Sequence, residues 1–184
     1  MNLKEIDKSW TLFLDRDGVI NYEKKNEYVL NWDEFVFMPG VKDALKILND
    51  YFGVIVIITN QKCIGKGLIT IEGLQQIHQN MLQQIELAGG RIDNIYFCPD
   101  LEDHSPNRKP NAGMALQAKT DFPQIDITKT IMVGNKLSDM QFARNAGVTS
   151  IFAATTNPET AFPHPFIDIR FNTLLEFAEA LTKA

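Results

Sequence analysis

Several things are scarce in this sequence, and each scarcity removes a class of protein. Two cysteines, Cys63 and Cys98, in 184 residues make no disulfide framework. No apolar run approaches the roughly 20 residues that span a bilayer; the longest aliphatic one is Val54 to Ile58. Lys and Arg number 18 against 23 Asp and Glu, a net charge of -5, so no basic field invites nucleic acid or an anionic membrane. The first ten residues, MNLKEIDKSW, alternate charged and apolar groups and do not read as a signal peptide. Repeats, low-complexity tracts and interdomain linkers are missing. The expectation is one soluble cytoplasmic domain over residues 1–184, a monomer with no nucleic-acid or membrane partner, binding any anion through local basic groups.

What is present is a 45% hydrophobic chain with enough apolar mass for one sizeable core. Short runs rich in Val, Ile and Phe predict strands over 11–15, 54–59, 92–97, 130–133 and 149–152, with a weaker one over 166–169. Helical spacing predicts helices over 41–49, 71–88, 112–120, 139–146 and 174–181. The second is the clearest, with Ile71, Leu74, Ile77, Met81 and Ile85 in register and Thr70 as N-cap. Gly53, Gly90 and Gly147 stand where helices stop. Strand and helix in alternation imply an α/β fold: a Rossmann-like parallel sheet with helices on both faces.

Such sheets bind ligands beyond the carboxyl ends of their strands. That rule picks out Asp15 and Asp17 after the first strand, Thr59-Asn60-Gln61 at the second, Arg108-Lys109-Pro110 after the third, and Gly134-Asn135-Lys136 with Asp139 after the fourth. Two carboxylates on one rim repel each other and any phosphate; at 4 Å each pair of unit charges costs roughly 1 kcal/mol in water and about 4 at a dielectric of 20. A divalent cation and a lysine reverse that sign, and hard oxygen donors suit Mg²⁺. One aspartate can then attack phosphorus, the other can move protons, and Thr59 and Lys109 can grip the phosphoryl oxygens.

With these residues in order, the chain resembles the haloacid-dehalogenase-like phosphatases. The likeness rests on Asp15-Arg16-Asp17-Gly18, Thr59-Asn60-Gln61, Lys109 and Gly134-Asn135-Lys136 with Asp139. Within that family, Asp15-Arg16-Asp17-Gly18-Val19-Ile20-Asn21, Tyr28-Val29, Phe35-Val36-Phe37, Arg108-Lys109-Pro110 and Gly134-Asn135-Lys136-Leu137-Ser138-Asp139-Met140 are similar to the branch of heptose 1,7-bisphosphate and histidinol-phosphate phosphatases. The resemblance covers about Leu12 to Leu181. It implies Asp15 as nucleophile and Asp17 as acid and base. Mg²⁺ would be held by the Asp15 carboxylate, the Asp17 main-chain carbonyl and position 135. Thr59, Asn60 and Lys109 would lie around the phosphoryl group, with Arg108 and Lys136 near the rest of the substrate. It also implies short loops in place of a large cap domain.

Three departures from the family pattern matter. Asn135 stands where the family has an aspartate metal ligand, which predicts weaker Mg²⁺ affinity, partly offset if Asp139 approaches the ion. The branch's zinc loop carries Cys-x-His and Cys-x-Cys, but here the positions read Cys98-Pro99-Asp100 and Ser105-Pro106-Asn107, with His104 out of register. Structural zinc needs four Cys or His ligands, so none is expected. The segment Lys62-Cys63-Ile64-Gly65-Lys66-Gly67, and Leu30 after Tyr28-Val29, also differ from the usual pattern.

The expected activity is a Mg²⁺-dependent phosphomonoesterase acting through an aspartyl-phosphate on a small sugar phosphate. D-glycero-D-manno-heptose 1,7-bisphosphate is the first substrate choice, for nucleotide-activated heptose and surface polysaccharide. Lys62, Lys66, Arg108 and Lys136 suit a second phosphate. Histidinol phosphate, an amino-alcohol phosphate, is the alternative, with Glu23, Glu27, Glu102 and Asp103 available to its amine. A catalytically weak phosphate binder is the rival from another class, because of Asn135. Asp139 reads equally as metal-linked or as a helix-start acid beside a Ser138-x-x-Gln141 capping box. His78, His104 and His164 read as surface or loop residues.

Overall fold

The first strand, Thr11–Leu14 (β1), has every side chain buried, which requires cover on both faces of its sheet. In the computed structural model, which describes residues 2–184, that cover is complete. β1 lies between Val54–Asn60 (β2) and Thr130–Gly134 (β4). Asn94–Cys98 (β3) flanks β2, while Thr149–Ala153 (β5) and Ile169–Phe171 (β6) follow β4. The order is β3-β2-β1-β4-β5-β6, parallel throughout.

Alternation along the strands builds a core on each face. Leu12, Leu14, Ile55, Ile57, Ile131 and Val133 point to one side, against helices Val41–Tyr51 (α1), Ile71–Leu87 (α3) and Leu174–Thr182 (α6). Phe13, Val56, Ile58 and Met132 point to the other, against Gly113–Asp121 (α4) and Leu137–Ala146 (α5). A single turn, Lys62–Gly65 (α2), follows β2 and was not expected from the pattern. Burying each such aliphatic side chain is worth roughly 1.5–3 kcal/mol, so these layers fix the strand ends firmly.

Local chemistry sets the helix ends. Thr70 caps α3 by accepting from the Gly73 N–H, and Thr173 caps α6 by accepting from Glu176. At the end of α5, Gly147 adopts φ 74°, the left-handed conformation that closes a helix with least strain in glycine. The sixth strand begins at Ile169, three residues later than expected. Ser150 explains the shift: its hydroxyl bonds the Phe166 carbonyl at 2.8 Å and the Asp168 N–H at 2.9 Å, and its own N–H donates to the Asp168 carboxylate. Side-chain bonds therefore occupy that segment until the ladder starts. None of the helices among the described residues is long and apolar enough to cross a membrane.

The connections leave the two central neighbours in opposite directions across the sheet, from β1 toward β2 and from β4 toward β5. A crevice at such a switch point is where this topology binds ligands. The long connection from β1 to α1 lines it with Glu23, Lys24 and Asn26 to Val29, while the packed rings of Trp32, Phe35 and Phe37 further along rest on the core. No inserted cap domain interrupts the described chain.

Candidate active site

Asp15 leaves β1 with its N–H bonded to the Val133 carbonyl on β4 at 2.9 Å, so the sheet itself aims it. The chain then turns tightly. The Arg16 carbonyl accepts from Val19, Ile20 and Asn21, and Gly18 takes φ +88°. A Cβ at Gly18 would fall 2.1 Å from Nδ2 of Asn135, so only glycine serves there, for both dihedral and space.

Lys109 arrives from the loop between β3 and α4. Its buried ammonium stands 2.9 Å from Oδ1 of Asp15 and 2.7 Å from Oδ1 of Asp139. Burial works against its charge, but the Asp139 and Asp15 carboxylates outweigh it and raise the lysine above its ordinary range. Burial pushes Asp15 up to about 6, with Lys109 pulling the other way. The second Asp139 oxygen accepts from the Lys136 N–H at 3.0 Å, at the N-terminus of α5. Asp139 is therefore both a helix cap and a counter-ion for Lys109. The capping residues are Lys136 and Asp139, not Ser138 and Gln141.

Asp17 is clasped by donors. Arg16 Nη2 lies 2.9 and 3.0 Å from its two oxygens, Asn21 Nδ2 donates at 2.9 Å, and Gln61 Nε2 donates at 2.9 Å. Burial raises the Asp17 carboxyl, yet Arg16 and these hydrogen bonds win and hold it below the usual carboxylate range. Gln61 Nε2 also donates to Thr59 Oγ1 at 3.0 Å, which leaves the threonine's own proton for a ligand. Arg16 is almost fully enclosed, and its Nη1 rests 3.2 Å from Nε2 of His78. Burial, and then Arg16, push His78 down to about 3. It is neutral and accepts from the guanidinium. The surface assignment of His78 was wrong: it is buried on the apolar stripe of α3.

Around this inner group opens a cleft of about 540 Å³. Asp15, Asp17, Thr59, Asn60, Arg108, Lys109 and Lys136 all line it, so the structure brings together every one of these expected residues. Lys24, Lys62 and Lys66 join them on the outer wall, with Glu23 and Glu27. Lys136 pairs with Glu23, Arg108 with Asp103 at 3.1 Å, and the Lys66 ammonium sits 5.1 Å from the Tyr28 ring centroid. Glu102 and Asp103, suggested for an amine, do not line the cleft. Asn60 is placed differently from a free phosphate donor: its amide pairs with the main chain of Lys109, at 3.0 Å in each direction. Arg16 and His78 had been given no role in the site, Gln61 only a place on the rim, and Glu23 only that of a partner for an amine. The arginine set between two acids and the histidine one position from Ile77 were the available signals.

Asn135 lies beneath the Gly18 turn, fully buried. Its Nδ2 donates to Thr156 Oγ1 at 2.5 Å and to Glu23 Oε2 at 3.3 Å. A carboxylate can only accept, so Oδ1 faces the other way, and it has no hydrogen-bond partner. A buried amide oxygen without a donor, beneath the turn that carries Asp17 and Gly18, fits a hard divalent cation. The loop that follows Cys98 is held by hydrogen bonds: Ser105 to Asp100, Arg108 to the Asp100 carbonyl, and Asn111 to the Ser105 carbonyl.

Parallel sheet, paired aspartates after β1 and a buried lysine on the first of them together define a phosphatase of the haloacid-dehalogenase type, and the chain belongs to that family. Residues 11–162 match the family described as polynucleotide kinase 3 phosphatase. Among its relatives is the D-glycero-alpha-D-manno-heptose-1,7-bisphosphate 7-phosphatase of Mycobacterium bovis, 35% identical over 95% of this chain and 93% of that one. The D-glycero-beta-D-manno-heptose-1,7-bisphosphate 7-phosphatase of Yersinia pestis is also 35% identical, over 92% of this chain and 94% of its own. The crystal structure of D,D-heptose 1,7-bisphosphate phosphatase from B. bronchiseptica, complexed with magnesium and phosphate, superposes with a TM-score of 0.85 at 28% identity, covering 95% of this chain and 98% of that one.

Proposed function

We propose that this phosphatase removes the 7-phosphate of D-glycero-D-manno-heptose 1,7-bisphosphate, through an aspartyl-phosphate on Asp15. The observation that carries the mechanism is the Lys109 ammonium held 2.9 Å from the Asp15 carboxylate at the inner end of a cleft. Relatives named for this reaction at 35% identity support the substrate. So does the outer wall, where Lys24, Lys62, Lys66 and Arg108 face Glu23 and Glu27. Such a wall favours a second phosphate over the amine of histidinol phosphate.

Asp15 attacks phosphorus, and the bond to the sugar oxygen breaks as Asp17 protonates that oxygen. A water, deprotonated by Asp17, then attacks phosphorus and frees Asp15. The clasp of Arg16, Asn21 and Gln61 favours ionised Asp17, the form needed for the second step. An incoming phosphate dianion raises its proton affinity for the first. Lys109 and Thr59 receive the phosphoryl oxygens as their charge grows. Mg²⁺ would be held by the Asp15 carboxylate, the Asp17 main-chain carbonyl and Asn135, and when bound it neutralises phosphate charge. The chain acts as a cytoplasmic monomer in making nucleotide-activated heptose for surface polysaccharide.

Phosphate release from both anomers of the heptose bisphosphate, from histidinol phosphate and from simple sugar monophosphates, with Mg²⁺, tests this. The heptose bisphosphate should give the highest kcat/KM, and Asp15→Asn should abolish release while keeping the fold. A preference for histidinol phosphate, or no turnover of any of them, would contradict the assignment.

A further inference from the structure

We infer that the Asn60 side chain serves the reaction through Lys109, as a clamp on its main chain, and not as a direct ligand of the phosphoryl group. The inference rests on the phosphatase mechanism proposed above and adds a positioning residue to it.

Lys109 has a demanding task. Its ammonium must sit between the Asp15 and Asp139 carboxylates, at 2.9 and 2.7 Å, yet it hangs from a loop rather than from the sheet. A lysine side chain has four rotatable bonds, so a displaced Cα carries the ammonium with it. Asn60 is the last residue of β2, paired in register with Cys98 of β3. From that rigid site its Nδ2 donates to the Lys109 carbonyl at 3.0 Å, and its Oδ1 accepts from the Lys109 N–H at 3.0 Å. Two antiparallel bonds between a planar side-chain amide and a peptide fix both position and orientation. Downstream, Asn145 Nδ2 donates to the Pro110 carbonyl at 2.8 Å. The lysine's peptide is thus tied to β2 on one side and to α5 on the other, and of these two tethers Asn60 is the one that reaches Lys109 itself. A shift of about 1 Å in a group contacting the transition state can cost on the order of a hundredfold in rate.

A double-mutant cycle with Asn60→Ala and Lys109→Met, assayed on the heptose bisphosphate at saturating Mg²⁺, separates the clamp from direct binding. Asn60→Ala should lower kcat by about 10- to 100-fold and move KM by less than about 3-fold. In the Lys109→Met background the same change should cost less than about 2-fold more. Equal losses in both backgrounds, or a raised KM with kcat kept, would overturn the clamp and leave the mechanism standing. Wild-type kcat in Lys109→Met would overturn both.

Acylation of Lys109, followed by peptide mass mapping, gives a readout that needs no residual turnover. In the wild-type protein Lys109 is 3% exposed and should be protected. Asn60→Ala should label at least about fivefold faster there, and not at Lys119 on α4. Asn60→Asp preserves shape and one of the two bonds, so it serves if the alanine variant does not fold, with an intermediate gain expected. Unchanged labelling in a folded Asn60 variant would contradict the inference.

Discussion

The ammonium of Lys109 and the carboxylate of Asp15 stand 2.9 Å apart in a buried pair at the floor of the cleft. Asp15 comes from the central strand and Lys109 from a loop 94 positions later in the chain (109 − 15 = 94). In the mechanism proposed above, their meeting turns a buried acid, which by itself would hold a proton, into a nucleophile beside a fixed positive charge. The same lysine neutralises Asp139, so one cation supports Asp15 and the start of α5 together.

Replacing that cation with a neutral chain of similar length leaves two buried carboxylates unpaired. Lys109→Met should lower kcat by at least about a thousandfold and reduce stability by roughly 3 kcal/mol. Asp15 is already raised to about 6 and should rise further. A carboxyl raised in the folded state binds more protons there than in the unfolded chain, so its contribution falls as pH climbs through that window. Urea midpoints should therefore show a larger deficit for Lys109→Met at about pH 8 than at about pH 5.5. A pH-independent deficit would contradict this.

His78 gives a pH dependence of the opposite sign. Its folded value is pushed down to about 3 from 6.5. As pH falls below 6.5 the unfolded chain takes up a proton that the native imidazole refuses, so stability is lost toward acid. The slope from this one group approaches about 1.4 kcal/mol per pH unit. His78→Gln retains an acceptor for Arg16 and removes the titration. Denaturation at several pH values should show a flatter acid side for the variant. His78→Ala should instead cost about 1–3 kcal/mol at neutral pH, because a buried guanidinium N–H loses its acceptor.

Asn135 is testable by adding the charge it lacks. Asn135→Asp should tighten Mg²⁺ binding at least about threefold by calorimetric titration. A dication attracts the new charge about twice as strongly as Glu23, a single charge, repels it at equal distance. Unchanged affinity would remove residue 135 from the ligand set.

Much of this was legible in the sequence, because burial and strand-end position constrain residue type strongly. β1, β2 and β4 are unbroken apolar runs, and the charged residues that follow them can only lie at the rim. That logic located Asp15, Asp17 and Thr59 at the cleft, whereas Lys109, in the loop after β3, was singled out by the family resemblance. It failed where a polar side chain bonds to a distant peptide. Asn60 reaches Lys109 and Ser150 anchors 166–168, contacts that no spacing rule contains. His78 was misplaced for a different reason. Its position on the face of Leu74, Ile77 and Met81 pointed inward, but its partner Arg16 comes from another element.

Acid quenching during turnover of the heptose bisphosphate, then peptide mass mapping, tests the central claim most directly. One added phosphoryl group should appear on the peptide that contains Asp15, and be lost along with activity in Asp15→Asn. Sustained turnover in Asp15→Asn, or a phosphoryl group trapped on a different residue, would contradict the account.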